Sequence, residues 1–277
     1  MGAHPGEEAA QRRAGVRKPL GSARARAELP PVAQEFLRHQ RMLVVGAPGP
    51  DGGLRAGLLT GEPGFVRPLG PRLLAVEAVL PFDLDGEIGL LAIEPWTRRR
   101  MRVNGRARRE GDVLLVQTDQ VISNCPKYLQ DRRITGVVAG EPYRTSEHAA
   151  LAGRHREWIA AADTFFIATH APGHGADASH RGGMPGFVTA GDGVVRWLDY
   201  PGNFMFLTLG NLELEPAAAL LFVDWSNGHT LEVGGRARAD WSGAERMVTL
   251  EVERVVETSG ASPLRWGPPE YSPFNPR

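Results

Sequence analysis

The stretch Ser179-His180-Arg181-Gly182-Gly183 carries the densest chemistry in this 277-residue sequence. An arginine offers a planar fork of donors suited to phosphate oxygens, and a serine adds a hydroxyl. The paired glycines let a ligand approach the backbone closely. An ordinary surface turn uses the same residue types, so the stretch alone does not separate binding from shape. A second candidate is Asn203-Phe204-Met205-Phe206-Leu207-Thr208-Leu209-Gly210-Asn211. Thr208 is suited to cap a short helix that must end before Pro216, and the free N–H groups of such a first turn attract anions. Plain capping, with Phe204, Phe206 and Leu209 in the core, is the alternative.

Other candidates are weaker. His170, His174 and His180 could form a metal trio, but no Asp or Glu stands at a familiar ligand spacing, and the expectation is no metal. The single cysteine, Cys125, excludes an internal disulfide and reads as a buried structural thiol. Gly46-Ala-Pro-Gly-Pro-Asp-Gly-Gly53 is glycine-rich after a strand, yet no helix pattern follows, so it reads as a hairpin loop. No Gly-x-Ser-x-Gly elbow is present. Arg98-Arg99-Arg100 reads as a solvated turn between strands, with a groove-facing role left open.

The scaffold for these residues is written in the punctuation of the chain, where 34 glycines and 22 prolines separate many short apolar runs. That pattern predicts a mainly β chain with few helices. Strands are expected at 42–46, 73–76, 88–93, 113–117, 165–168, 194–197, 219–223, 230–233 and 248–256. Helices are expected over 31–40 and 148–161, with a short one starting at Thr208. Acidic and basic residues balance at 32 each, so net charge calls for neither nucleic acid nor an anionic membrane. No apolar run approaches the ~20 residues of a membrane span, and the first residues lack signal-peptide grammar. A soluble, cytoplasmic protein is the expectation.

The sequence also repeats. Residues 35–66 align without a gap to 157–188, ending in Gly61-Glu-Pro-Gly-Phe-Val66 against Gly183-Met-Pro-Gly-Phe-Val188. Residues 90–107 align to 220–237, with Gly105-Arg-Ala107 against Gly235-Arg-Ala237. The second copy is longer between these blocks. It also places polar residues, Ser179 to Arg181, where the first keeps Gly57-Leu-Leu59. Core packing explains shared apolar columns but not this asymmetry, whereas a ligand does. The implied organisation is an extension (1–28), a first, degenerate barrel (29–108), a connector (109–150), a second barrel with the site (151–258) and a tail (259–277).

The run Asp163–Thr169, the stretch Gly175–Val188, Asp199-Tyr-Pro-Gly-Asn203 and Thr208-Leu-Gly-Asn-Leu212 together resemble the pyridoxamine 5′-phosphate oxidase-like FMN-binding split-barrel family. Asn124-Cys-Pro-Lys-Tyr128 and Tyr271-Ser-Pro-Phe-Asn-Pro276 resemble its tandem-duplicated subfamily. The resemblance implies two split barrels packed as an intramolecular pseudo-dimer, with FMN between them. Carried onto this sequence, the cofactor contacts are Ser179, His180, Arg181, Gly182, Gly183, Asn203, Thr208, Leu209, Gly210 and Asn211. His180 would contact the ring or donate a proton. Leu207 departs from the pattern, standing where a polar residue is expected. The implied function is a flavin-dependent oxidoreductase with a small-molecule substrate or electron donor. A non-catalytic flavin- or haem-binding module and an F420-dependent relative remain open, as do a homodimer and a partner reductase.

Overall fold

Successive side chains of a strand face opposite ways, and here the central strands are apolar on both faces, so each needs two cores. The computed structural model describes residues 3–17, 21–22, 25–123, 125–138, 142–191, 193–243 and 245–276. The first sheet contains β1 (Met42–Pro48), β2 (Leu54–Thr60), β3 (Val66–Gly70), β4 (Leu73–Glu77), β5 (Gly86–Glu94), β6 (Arg99–Glu110) and β7 (Val113–Ser123). All pairings are antiparallel, in the order β2-β1-β5-β6-β7-β4-β3. Then come β8 (Ile134–Val137) and β9 (Arg144–His148). The second sheet contains β10 (Thr164–Ala171), β11 (Gly175–Gly182), β12 (Val188–Gly191), β13 (Val194–Leu198), β14 (Ala217–Val223), β15 (Thr230–Asp240) and β16 (Met247–Ser259). Its order is β11-β10-β14-β15-β16-β13-β12, with β9 added alongside β16. A final strand, β17 (Leu264–Trp266), pairs with β8.

The two sheets therefore use one strand order twice, and their registers coincide. Val44 faces Leu91 in the first and Phe166 faces Leu221 in the second. The β6–β7 pairing shifts at Asn104/Gly105, and the β15–β16 pairing shifts at Gly234/Gly235. These positions match in the aligned sequence blocks. The fold is mainly β, as the glycine and proline punctuation predicts.

Three cores follow. Leu43, Val45 and Ala47 of β1 enter the interior of the first sheet, and Phe165 and Ile167 of β10 enter that of the second. The opposite faces, Met42 and Val44 with Phe166 and Ala168, form a third core between the sheets. The halves thus meet through β1, β2 and β5 on one side and β10, β11 and β14 on the other. The third core also takes Leu129 from the connector and Leu264 and Trp266 from the tail. Arg132 of the connector makes a two-bond ion pair with Asp163, at 3.1 and 2.6 Å, with both side chains buried.

Four helices complete the described residues: α1 (Pro5–Arg13), α2 (Pro31–Arg38), α3 (Gly153–Ala161) and α4 (Leu207–Leu214). Helix α2 lies where the spacing predicts. Helix α3 starts later than expected, because Arg144–His148 extend as β9 and take backbone bonds from β16. The first sheet reaches Ser123, so β7 lies inside the stretch read as connector. Asn124 falls outside the described residues. No helix among the described residues is long and apolar enough to cross a membrane.

Helix α1 has no apolar stripe and escapes periodicity arguments. It docks through backbone proximity instead. A Cβ on Gly6 would lie 2.0 Å from the Gly210 carbonyl oxygen, and one on Gly210 would lie 2.6 Å from the Glu7 nitrogen. Polar bonds lock this contact with α4. His4 Nε2 meets Asn211 Oδ1 at 2.8 Å, and Gln11 Nε2 donates to the carbonyls of Phe204 and Met205 at 3.3 and 3.2 Å. Gly210→Ala must therefore push α1 off α4. The expected cost is about 1–3 kcal/mol, the range for overpacking, read from urea unfolding. An unchanged midpoint would show that the helices part without loss.

Candidate functional site: a cationic cleft between the two sheets

Segments from both halves converge on one cleft. The start of β6 supplies Arg100 and Arg102, and the connector supplies Cys125, Lys127 and Tyr128. The end of β11 supplies His180, Arg181 and Gly182, and the chain from Leu198 to Leu209 closes the opposite wall. Aromatic rings of Tyr128, Phe187, Tyr200, Phe204 and Phe206 line it as well.

Pairing differs among the three arginines. Arg102 donates to Asp177 and to Ser179 Oγ, both at 3.0 Å. Arg181 donates to Ser179 Oγ at 2.8 Å and lies 3.5 Å from Asp199, which also binds Arg246 at 3.2 Å. Arg100 pairs with no carboxylate among the described residues. It donates to His180 Nδ1 at 2.6 Å and to the carbonyls of Cys125 and Lys127 at 3.1 and 3.3 Å. Burial, with Arg102 and Arg181 nearby, brings the Arg100 pKa down to about 9. Burial is also the main reason the His180 imidazole lies well below its usual range, and Arg100 and Arg181 push it further down. His180 is therefore neutral near pH 7. Because Nδ1 accepts from Arg100, the ring proton sits on Nε2, a buried atom with no hydrogen-bond partner.

The far wall is the N-terminus of α4. Phe206 at its N-cap has φ 61°, and Phe204 has φ 60°. Two bulky residues in the left-handed region store backbone strain, a pattern common where a loop shapes a site. The N–H groups of the first α4 turn have no acceptor within the helix. Thr208 belongs to that turn and lines the cleft; only 4% exposed, it leaves its Oγ1 without a partner. Tyr128 Oη donates to the Pro201 carbonyl at 3.0 Å, tying the loop to the connector.

The structure brings together His180, Arg181, Gly182, Asn203, Thr208 and Leu209 on the cleft wall. It turns several expected residues elsewhere. Thr208 is not the N-cap, since α4 begins at Leu207 and Phe206 caps it. Ser179 is fully buried and accepts from two arginines, so it orients them. Asn211 faces away, bonding His4 and donating to Thr169 Oγ1 at 3.0 Å. Gly210 faces α1. Gly182 admits the Tyr128 carbonyl, 2.0 Å from where its Cβ would lie, and Gly183 admits the Phe187 ring at 2.6 Å. Gly61 and Phe65 repeat the latter contact at 2.6 Å in the first half, so Gly183 serves packing. Asn203 sits exposed at the rim, its Oδ1 accepting from the Met205 N–H.

Sequence reasoning missed Arg102, and it read Arg98–Arg100 as a solvated turn with a groove-facing role left open; Arg100 takes the groove-facing role. Cys125, expected to be buried, is exposed on the cleft wall. The histidine trio does not assemble. His170 pairs with Glu87 at 2.5 Å, and His174 lies tilted against His4 with centroids 4.3 Å apart. A different group, His148, His155 and Glu257, lies close together. His155 Nδ1 accepts from the Ala152 N–H at 3.1 Å, so its Nε2 donates to Glu257. Arg154 already neutralises that carboxylate at 2.9 Å, leaving an ion-pair cluster instead of a metal-ready one.

The equivalent place on the other side of the sheet pair is nearly filled. Leu58 stands where the cleft has His180, and Thr230 and Glu232 stand where it has Arg100 and Arg102. Pro81 and Phe82 plug this mate, leaving about 20 Å³ against about 110 Å³ in the cleft. Its ion pair survives with reversed polarity: Arg55 of β2 meets Glu232 of β15 at 3.1 Å, as Asp177 of β11 meets Arg102 of β6 at 3.0 Å.

No protein-family profile and no curated protein matches this chain. Among solved structures, it is similar to a FAD-binding protein from Mesorhizobium loti, at 13% identity and TM-score 0.31, over 43% of this chain and 99% of that chain. It is also similar to a FAD-binding protein from Mycobacterium smegmatis, at 11% identity and TM-score 0.29, over 42% of this chain and 98% of that chain. A single-residue variant of HupZ from Group A Streptococcus shows 14% identity and TM-score 0.30, over 38% of this chain and 98% of that chain.

Proposed function

We propose that the cleft binds the phosphate-bearing flavin FMN and that the protein is an FMN-dependent oxidoreductase acting on a small molecule. The observation that carries this reading is the unpartnered Thr208 hydroxyl, buried at the N-terminus of α4 in a cleft that Arg181 also lines. A buried hydroxyl without a partner costs about 1–3 kcal/mol, and a phosphate oxygen there would satisfy it. The aromatic lining suits a flat ring, and the residue pattern resembles the FMN-binding split-barrel family. The repeated strand order supports an internal duplication in which one half kept the ligand groups.

A bound flavin supplies the electron chemistry itself, which leaves the protein binding, orientation and access. Arg181 and the first turn of α4 would hold the phosphate, and Thr208 Oγ1 would donate to it. Ser179 fixes the Arg181 fork, and Asn203, at the rim, would contact the ribityl chain of a bound FMN. His180 acts through its position. Its neutral ring is a poor proton donor near pH 7, so its part is to hold Arg100. A haem is disfavoured, because the Arg100 bond keeps the proton on Nε2, the nitrogen left for iron.

The purified protein, supplied with FMN, is expected to turn yellow with absorbance near ~450 nm. Denaturation should release FMN, identified by mass. A protein that stays colourless and leaves FMN fluorescence unquenched would end this reading. Anaerobic reduction by NADPH or NADH, followed by turnover of an acceptor, separates an enzyme from a carrier.

A further inference from the structure

We infer that Arg100 receives the carboxylate of a second, small-molecule ligand, so that the substrate of this cleft is an organic acid. This rests on FMN occupying the same cleft. The first support is charge. Among the described residues that line the cleft, Arg100, Arg102, Lys127 and Arg181 face one lining carboxylate, Asp199, while Asp177 pairs with Arg102. A phosphate monoester brings about −1.5 to −2 near pH 7. Arg181 and the first turn of α4 take that charge, which leaves Arg100 for a second anion.

Pairing shows where that charge lies. Arg102 and Arg181 each have a carboxylate, and Arg100 has none among the described residues. Its three bonds go to His180 Nδ1 and two carbonyls, all neutral groups. Those bonds use three of the five guanidinium N–H groups, leaving one on each terminal nitrogen. Two such donors in one plane match the two oxygens of a carboxylate. The arginine is also held in place: the connector carbonyls fix one edge and the buried His180 fixes the other. A cation kept this way at a stability cost suits a ligand better than it suits the fold.

This receptor and the phosphate site come from different halves of the chain. Arg100 comes from the first half, beside exposed Cys125, whereas Arg181 and Thr208 belong to the second half. The plugged mate agrees, since Thr230 replaces Arg100 where Pro81 and Phe82 leave no room for a ligand.

The test titrates sodium benzoate and, separately, inorganic phosphate into the FMN-loaded protein, following the flavin spectrum and the heat of binding. Wild type is expected to bind benzoate, and Arg100→Gln to weaken that binding at least tenfold while changing FMN affinity less than threefold. Arg100→Lys, which keeps the charge and loses the fork, should fall between them. Thermal melts of each variant confirm folding; if Arg100→Gln does not fold, Arg100→Lys decides by the same comparison. Equal benzoate affinity in wild type and variant overturns the proposal. So does loss of FMN together with benzoate, because Arg100 would then serve the cofactor phosphate. Tighter Arg100-dependent binding of phosphate than of benzoate overturns the carboxylate assignment. A wild type that takes up no FMN sinks the cofactor reading instead. The benzoate titration is then run on that protein, and an Arg100-dependent affinity supports the receptor while an Arg100-independent one overturns it.

Discussion

Arg181→Ala is expected to weaken FMN binding by about 1.5–3 kcal/mol, roughly 10- to 150-fold in Kd. The side chain lines the cleft beside Thr208, and a charge-assisted bond to phosphate is the strong kind. Its loss should not collapse the fold, because Asp199 keeps Arg246 at 3.2 Å as a second partner. Ser179 would lose one of its two donors and retain Arg102. Fluorescence titration of FMN reads the affinity, and a parallel melt checks folding. Arg181→Lys should recover part of the affinity, since it restores charge without the fork. An Ala variant that binds FMN as tightly as wild type would place the phosphate elsewhere.

The second large effect concerns stability. Asp163→Ala leaves Arg132 buried without its carboxylate, and breaking a buried pair this way costs about 3–5 kcal/mol. The two side chains are 7% and 5% exposed, so water does little to rescue the orphaned cation. Arg132 also lies over the Trp225 ring, 5.1 Å from its centroid, and that contact persists in the variant. The pair ties the connector to the first residues of the second sheet, where Gln130 also donates to the carbonyls of Asp163 and Gly183. Urea unfolding should show the shift, with the midpoint moving and the slope unchanged. Replacing both partners with apolar residues should cost much less than replacing Asp163 alone. If the single and double variants lose the same stability, the ion pair is not the cause.

Most strands were legible because apolar runs between glycine and proline turns are a local signal, and β1, β5, β10 and β14 follow it. Helix α1 was not legible. Its buried face is Gly6, Glu7, Ala10 and Gln11, which no hydrophobic period describes. The start of α3 was misjudged because β9 forms only when β16 is there to pair with it. At the site, residue type was easier to read than direction. Arg181 and Thr208 reach the cleft, but Ser179 and Asn211 spend their polar atoms on neighbours that come from distant chain segments. Arg102 was overlooked for the same reason, being supplied across the interface by the other half. A usable signal existed in the aligned columns, where Arg55 stands opposite Asp177 and Arg102 opposite Glu232. Opposite charges at two matched positions mark residues that compensate one another.

Those swapped charges also govern which surfaces can associate. If two first halves met in this geometry, Arg55 of one would confront Arg102 of the other. Two second halves would set Asp177 against Glu232. Each homotypic union buries like charges where the mixed union buries a salt link at 3.0–3.1 Å. A first half with this feature accepts a second half and rejects a copy of itself, which disfavours association of like halves between neighbouring chains.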